Sequence, residues 1–259
     1  MSRHWKKLPF RTVIVSDGSM SSSELQRSFR FVSGELVVKT ADDYFEHHEK
    51  RGRNALVSYA RAHPFGLKLA IFLKESETER CIWCDGDVLF FGDLSKRIEG
   101  FTKGRVLVAG RDWCHGYEPM LHAALDWDLT ASPPVNAGFL LVEDFPYDEF
   151  GLEAKLAATQ QGWGWYTEQT LLAYCMQRCS GVYWADSEMI ISHEDCQEMV
   201  GNPERRGWRG RHYIAPYRDL FWRDSVAGTM RDFLCDRTRK TPESHTSGSK
   251  KTSTQMRDR

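Results

Sequence analysis

Continuous apolar runs, rather than alternating apolar and polar positions, mark the predicted strands in the first half of the chain. Segments with helical patterning separate these runs, at about Ser23–Phe31, Asn54–Arg61 and Pro64–Glu75. Strands that are apolar on both faces and alternate with helices are typical of a parallel sheet covered on both sides. The pattern therefore predicts an α/β fold with a mostly parallel central sheet flanked by helices. The strands are predicted at Arg11–Ser16, Glu35–Lys39, Cys81–Cys84, Arg105–Gly110 and Val135–Val142.

Shorter elements follow in the second half of the chain, which ends in a polar segment. Residues 236–259 contain one Met as their only hydrophobic residue, too little apolar surface to offset the entropy of an ordered chain. We therefore predict a basic leader over residues 1–10, one domain over 11–235 and a disordered basic tail over 236–259. The remaining predicted elements are the extended segment Val88–Phe91, the helices Gly151–Gln161, Thr167–Gln177 and Arg218–Cys235, and the strands Val182–Trp184 and Arg211–Ile214.

Composition narrows the class of protein without indicating a chemistry. The 259 residues, of which 41% are hydrophobic, suffice for one large packed domain. The net charge of −1 argues against a protein that coats nucleic acid. The mean hydropathy is −0.52, and no apolar run approaches the roughly 20 residues of a membrane span. We therefore expect no nucleic-acid partner and no transmembrane segment, and leave only peripheral membrane contact open.

The seven cysteines indicate a reducing compartment. Their number is odd, and their spacing does not suggest a disulfide framework. The apolar stretch Thr12–Val15 is also too short for a secretory signal. We therefore expect reduced, mostly buried thiols and a cytoplasmic protein. Three pairs raise the alternative of structural zinc: Cys81 and Cys84, Cys175 and Cys179, and His193 and Cys196. The first pair is a C-x-x-C, but no second C-x-x-C follows it at finger spacing.

Asp85 and Asp87 flank Gly86 directly after a predicted buried strand. Two carboxylates two residues apart can reach one divalent cation if the chain turns at the glycine between them. Mg²⁺ and Mn²⁺ are commonly held by a few carboxylates together with substrate phosphates. Because ligands of such sheets bind beyond the carboxyl ends of the strands, the pair is well placed for a metal site. The alternative is an ordinary solvated turn, since Asp-Gly is common turn chemistry.

Three further polar residues fit a site that holds a metal and a diphosphate. Lys68, on the helix that leads into the Asp85 strand, could neutralise phosphate oxygens that the metal leaves free. His212, on a late predicted strand, could be a third metal ligand, and Arg218 follows it by six residues. Each has an ordinary alternative, because helix lysines and strand histidines are common without a ligand.

Taken in order, these segments resemble the glycosyltransferases of the GT-A fold. The resemblance is strongest to family 8, which includes glycogenin and the lipopolysaccharide galactosyltransferases, and it spans about Arg11 to Trp222. Six segments carry it: the helix Leu67–Leu69, the D-x-D segment Cys84–Leu89, Phe91–Leu94, the N-A-G segment Val135–Leu140, the acidic-Gln helix start Thr167–Leu172 and the late segment His212–Arg218.

The resemblance implies a single Rossmann-like domain and a metal-dependent enzyme. Such an enzyme would move a hexose from a nucleotide sugar, with UDP the expected nucleotide, to a glycan or other hydroxyl acceptor with retention of configuration. The implied roles are as follows: Asp85, Asp87 and His212 ligate Mn²⁺ or Mg²⁺; Asp85 also contacts ribose; Lys68 and Arg218 bind the diphosphate; Asn136, Ala137 and Gly138 line the sugar pocket; Glu168 and Gln169 are catalytic; and Asp17 lies near the nucleotide.

Three positions depart from the family pattern. Ala215 stands where the family has glycine in the late segment, Arg218 replaces a lysine, and Glu168 replaces the more usual aspartate. A haloacid-dehalogenase-like phosphatase with Asp85 as nucleophile is the main enzymatic alternative, although two predicted strands precede Asp85 and no later paired aspartates are evident. A non-catalytic module that binds nucleotide sugars is the other alternative.

Overall fold

The structure is a computed structural model, and it describes residues 5, 9–16, 18–32, 34–102, 104–191, 207–214 and 217–227. The chain divides into two compact units, Met1–Phe221 and Trp222–Arg259. Of the second unit, residues 222–227 are described and are helical. The tail predicted for residues 236–259 and most of the predicted leader lie outside the described residues, so the three predicted domain boundaries stay predictions.

Eight strands form three groups in the described part of the first unit. β1 and β2 pair with each other, β3, β6, β5 and β7 form a four-stranded sheet in that order, and β4 pairs with β8. The strands are β1 Arg11–Ser16, β2 Glu35–Thr40, β3 Cys81–Cys84, β4 Val88–Phe90, β5 Val106–Arg111, β6 Val135–Glu143, β7 Val182–Tyr183 and β8 Gly210–His212.

Three of the described helices begin with a clear local signal: a capping box at Ser21 before α1, and a proline in the first turn of α4 and α6. α4 starts with a proline at its first position, and the His63 side chain accepts a hydrogen bond from the Phe65 amide at the cap. Residues 218–221 are helical as well, as the sequence predicts. The helices are α1 Ser22–Ser28, α2 Asp42–Lys50, α3 Asn54–Ala62, α4 Pro64–Glu75, α5 Ser95–Glu99, α6 Pro119–Leu125, α7 Leu152–Ala158 and α8 Thr167–Arg178, with short 3₁₀ turns at Leu129–Ala131 and Gln160–Gly162.

The predicted α/β class is confirmed, and in the four-stranded sheet β3, β5 and β7 run in the same direction, with β6 as the one reversed strand of that sheet. β1 and β2 are parallel, as are β5 and β7, whereas β6 runs antiparallel to both β3 and β5. β4 and β8 are antiparallel too. The reversal of β6 has no signal in the sequence, because a continuous apolar run indicates only that a strand is buried on both faces, and such a strand can run in either direction.

The two faces of the four-stranded sheet carry two separate parts of the core. Along β6, Leu140 and Val142 pack with α3, α4 and α8, while Phe139 and Leu141 pack on the opposite face with Trp184. Successive side chains of a strand point to opposite faces, so a strand covered on both faces must be apolar throughout. Residues 139–142 of β6 meet this condition, and all four are buried.

Glu75, the last residue of α4, ties the two-stranded sheet to that helix. Its carboxylate pairs with Arg11 of β1 at 2.8 Å and with Lys39 of β2, and it accepts a hydrogen bond from Tyr44 of α2 at 2.8 Å. These contacts balance a largely buried charge from three directions. They fix β1 beside α4 and β3, which together line a cleft of about 1500 Å³.

Candidate active site

Strand pairing brings the Asp85–Asp87 turn and His212 together. The turn follows β3, where the Asp85 amide donates a hydrogen bond to the carbonyl of Gly138 at 2.8 Å. β4 then pairs with β8 so that Val88 lies opposite His212. The Tyr213 amide also donates to the Asp87 carbonyl, at 2.9 Å. Residues far apart in the sequence are thereby held side by side by backbone hydrogen bonds.

Asp85, Asp87 and His212 offer one ligand atom each within 4.8 Å of one another. Nε2 of His212 lies 3.1 Å from Oδ1 of Asp87 and 3.9 Å from Oδ2 of Asp85. The imidazole is buried and the two carboxylates are partly exposed to the cleft. Two carboxylates and an imidazole are a donor set that suits Mn²⁺ or Mg²⁺, with room on the cleft side for phosphate oxygens. The residues therefore fit a divalent metal.

Gly138 allows the His212 ring to lie directly against β6. A Cβ atom built at this glycine would overlap Cε1 and Nδ1 of the ring and would lie 2.7 Å from Nε2. Both residues lie in paired β-strands, and strand pairing holds both backbones in place. The absence of a side chain at residue 138 thus sets the position of His212.

Asn136 holds the other side of the same ring. Its Oδ1 lies 2.9 Å from Nδ1 of His212 and accepts a hydrogen bond from the Gly138 amide at 2.9 Å. Its Nδ2 donates to Oδ2 of Asp112 at 3.0 Å. Asp112 follows β5 directly and lines the cleft. Burial raises the pKa of Asp112, and the hydrogen bond from Asn136 partly offsets that rise.

Lys68 connects the metal-site turn to α8. Its Nζ lies 3.1 Å from Asp85 and 3.5 Å from Oε1 of Glu168, and its side chain is only 6% exposed. Burial opposes the charge of Lys68, but the carboxylates of Glu168 and Asp85 more than compensate and raise its pKa. The rings of Phe65 and Trp83 flank the ammonium group at 5.6 and 5.5 Å. Lys68 is therefore a buried cation between two carboxylates, not a solvated helix lysine.

Glu168 is a buried carboxyl group in the first turn of α8. Burial raises its pKa to about 7, the charge of Asp85 adds to the rise, and Lys68 acts against it. Its Oε1 has no hydrogen-bond partner among the described residues, since Lys68 lies at a longer ion-pair distance. A buried acceptor of this kind costs free energy unless a ligand satisfies it. Glu168 lines the cleft, where a hydroxyl donor could do so.

Arg218 contacts the candidate metal site through the carboxylate of Asp87. Its Nε lies 3.1 Å from Oδ2 of Asp87, and its side chain is 70% exposed. Burial raises the pKa of Asp87, but His212 and Arg218 together lower it by more, so that the net pKa is below its usual value. In this structure Arg218 neutralises a carboxylate of the site rather than standing free for a diphosphate.

Two solved glycosyltransferase structures share this arrangement of strands and helices. No protein-family model and no curated protein sequence matches the chain. Mouse xyloside xylosyltransferase 1 in its apo form superposes with a TM-score of 0.50 and 12% identity, over 80% of this chain and 85% of that one. The galactosyltransferase LgtC, in complex with donor and acceptor sugar analogs, gives 0.51 and 15%, over 85% and 84%. The chain has a GT-A fold.

Within the GT-A fold, most of the residues predicted from the sequence lie around one cleft. The structure brings together Asp85, Asp87 and His212, and it places Lys68 and Glu168 next to them. Gln169 also lines the cleft, where its amide donates to the carbonyl of Gly116 at 3.2 Å. The other cleft-lining residues that the sequence predicts are Asn136, Ala137, Gly138 and Arg218.

Some predictions lie outside the described residues or concern other sites. Asp17, Ala215, His193 and Cys196 are not among the described residues. The described cysteines are free, and among the described residues the group of three His, Cys, Asp or Glu side chains that could hold a metal is the Asp85 group, which gives structural zinc no support. In the described part of the chain, no helix is both long and apolar enough to cross a membrane.

Sequence reasoning missed Asp112, which lines the same cleft and contacts Asn136. A single aspartate after a strand has no spacing signature of its own. The one available signal was its position directly after a continuous apolar run, the same position that Asp85 occupies after β3. Its relation to Asn136 depends on the antiparallel pairing of β5 and β6, which the sequence analysis did not foresee.

Proposed function

We propose that the chain is a metal-dependent glycosyltransferase that moves a hexose from a UDP-sugar to a hydroxyl group of a glycan or other acceptor, with retention of configuration. The observation that supports this most is the convergence of Asp85, Asp87 and His212 on one point of a large cleft. Buried Lys68 and exposed Arg218 flank that point with positive charge. Two glycosyltransferases share the fold.

Asp85, Asp87 and His212 would hold Mn²⁺ or Mg²⁺. A bound divalent ion supplies Lewis-acid stabilisation of the diphosphate that leaves when the sugar–phosphate bond breaks. The chain's own residues complete the electrostatics. Arg218 would exchange its contact with Asp87 for one with the diphosphate, which its exposed position allows. Lys68 would keep a positive charge near Asp85, and this charge would attract the diphosphate when it binds.

Glu168 and Gln169 would face the donor sugar. A sugar hydroxyl that donates to Oε1 of Glu168 would add a hydrogen bond to a buried acceptor that otherwise has its ion pair with Lys68 at 3.5 Å. Its carboxylate would then lie near the sugar carbon that gains positive charge as the bond breaks. Asn136, Ala137 and Gly138 would form the pocket wall on β6, and Asp17 would contact the nucleotide.

The phosphatase alternative loses its main basis with the GT-A fold, because Asp85 follows the third strand of the chain and Lys68 and Trp83 hold its carboxylate. A binding module without turnover would use the same metal and cation contacts. Turnover therefore separates the two remaining possibilities, whereas binding does not.

Release of UDP from a panel of UDP-sugars tests the proposal. The purified protein is assayed with Mn²⁺, Mg²⁺ or EDTA, with and without sugar acceptors, and NMR of the anomeric proton identifies the configuration of any product. We expect metal-dependent release that Asp87→Ala abolishes. Asp42→Ala is a matched control, because Asp42 is an exposed carboxylate on α2 that does not line the cleft. Binding of UDP and Mn²⁺ with no release from any donor would favour the binding module instead.

A further inference from the structure

A chain of hydrogen bonds leads from the candidate metal site to a carboxylate that does not touch the metal ligands. His212 Nδ1 contacts Asn136 Oδ1 at 2.9 Å, and Asn136 Nδ2 contacts Asp112 Oδ2 at 3.0 Å. Asn136 and His212 are 5% and 6% exposed. Water is therefore largely excluded from the chain of contacts, and the partners of each polar atom are protein groups.

Two neighbours determine which way round the Asn136 amide lies. The Gly138 backbone N–H is a donor and needs the amide oxygen, which it meets at 2.9 Å. The Asp112 carboxylate is an acceptor and needs the amide nitrogen. Its other oxygen accepts from the Trp113 amide at 2.8 Å, so Oδ2 is the atom that serves Asn136. Both constraints give the same orientation, with Oδ1 of Asn136 toward His212.

That orientation selects one tautomer of His212. Because Asn136 Oδ1 can only accept, Nδ1 of His212 must carry the hydrogen. Nε2 is then the nitrogen that faces Asp87 at 3.1 Å and Asp85 at 3.9 Å. It donates to Asp87 when the ring is protonated, the state in which His212 lowers the pKa of Asp87, and it carries the lone pair when the ring is neutral. With a neutral ring, the lone pair of Nε2 and the two carboxylates that face it are all hydrogen-bond acceptors, and no hydrogen lies between them. This arrangement is favourable when a cation lies between them.

We propose that Asp112 is a positioning residue that, through Asn136, keeps the His212 ring in the Nδ1–H tautomer and presents Nε2 to the metal. This inference rests on the proposed metal-dependent function. Outer partners of metal-bound histidines orient the ring and fix its tautomer in this way, and their loss typically lowers metal affinity by roughly 10–100-fold. Asp112 itself lies beyond the ligands and acts on the metal only through another side chain.

A pair of variants of similar size separates this role from simple packing. In Asp112→Asn the side-chain oxygen can still accept from Asn136, whereas Asp112→Leu removes the acceptor and keeps most of the volume. Mn²⁺ affinity is measured from the free-ion signal in electron paramagnetic resonance. We expect the leucine variant to bind Mn²⁺ roughly 10–100-fold more weakly. The asparagine variant should lie nearer to the wild type than to the leucine variant.

The second readout is the tautomer itself, measured on metal-free protein. Long-range ¹H–¹⁵N correlation spectra of histidine-labelled protein, recorded from about pH 7 upward until the His212 signals stop changing, report which nitrogen of the neutral ring carries the hydrogen. The spectrum of His212→Gln assigns the signal. We expect the Nδ1–H form in the wild type and the asparagine variant, and a mixture of forms in the leucine variant.

Each outcome either supports or contradicts the positioning role of Asp112. Unchanged Mn²⁺ affinity together with an unchanged tautomer in the leucine variant would overturn the positioning role. If the wild type binds no Mn²⁺, the proposed function fails, and the tautomer spectra of the metal-free variants still decide for or against Asp112. Should the leucine variant not fold by near-ultraviolet circular dichroism, Asp112→Ala replaces it in the same two measurements.

Discussion

Replacing Gly138 by alanine tests whether the metal site depends on the close approach of His212 to β6. The added Cβ would overlap Cε1 and Nδ1 of the imidazole and lie 2.7 Å from Nε2. Ordinary contacts between heavy atoms are about 3.5–4.0 Å. The ring must therefore retreat by on the order of 1 Å at Nε2, and by more at the other two atoms.

A displacement of this size is large compared with what a metal ligand tolerates. Ligand distances in working sites lie within about 0.2 Å of their ideal values. A ring displaced several times that far no longer binds in the same place, so two carboxylates would remain as ligands. We expect Gly138→Ala to lose Mn²⁺ binding nearly as completely as His212→Ala does. Overpacking of this kind also costs about 1–3 kcal/mol of the free energy of unfolding.

Gly86→Ala is the matched control, because it adds the same methyl group between the two ligand aspartates. A Cβ at Gly86 meets nothing within 4 Å. Mn²⁺ affinity by electron paramagnetic resonance and the thermal unfolding midpoint are measured for both variants. Wild-type Mn²⁺ affinity in Gly138→Ala, or an equal loss in Gly86→Ala, would refute the argument that this one close approach sets the site.

Three further predictions concern the charged groups of the cleft. Lys68→Met leaves Glu168 and Asp85 without their buried cation, so it should lower the free energy of unfolding by about 3–5 kcal/mol in urea titrations. Lys68→Arg keeps the charge and should lower it less. Equal losses in the two variants would contradict the charge argument. Because the pKa of Glu168 is raised to about 7, the folded state holds its proton more tightly than the unfolded state, so stability should fall as the pH rises from about 4.5 to about 7. Glu168→Gln should flatten that part of the stability profile, and a profile parallel to the wild type would show that Glu168 titrates normally. Arg218→Ala should weaken UDP binding in the presence of Mn²⁺ by roughly 10–100-fold in calorimetry, as expected for the loss of hydrogen bonds to a charged group. The affinity for Mn²⁺ alone should not change. Loss of both affinities would mean that Arg218 supports Asp87 rather than the diphosphate.

Local signals predicted the elements whose ends are chemically marked. α4 begins at Pro64 and ends at Glu75 as predicted, because proline at the first position and the His63 cap define its start. α2 was not predicted, because aspartates such as Asp42 and Asp43 are common in turns as well as at helix starts. In the structure they are the first turn of a helix, where negative charge is favourable. The same residue types thus serve turns and helix starts, and only the packing of Tyr44 and His48 decides between them.

The candidate site could be predicted in part because its two aspartates are only two residues apart in the sequence. His212 was a possible third ligand from its place on a late predicted strand and from the family resemblance, and the register of β4 against β8 is what places it beside them. Asp112 could not be predicted, because its role depends on the contact of Asn136 with its carboxylate across the β5–β6 pair. Arg218 was predicted as a diphosphate ligand, and its contact with Asp87 is visible only in the structure.

The pairing of β4 with β8 also has a consequence for the order of events during synthesis. His212 and Asp87 are 125 residues apart in the sequence. A nascent chain that ends before residue 212 can form β3, β5 and β6, yet it presents only two of the three candidate ligands. Closing so long a loop costs conformational entropy, and a metal that binds only the closed form would repay part of that cost. The candidate metal site therefore belongs to the late stage of folding, and a bound ion would fasten the last strand to the first half of the molecule.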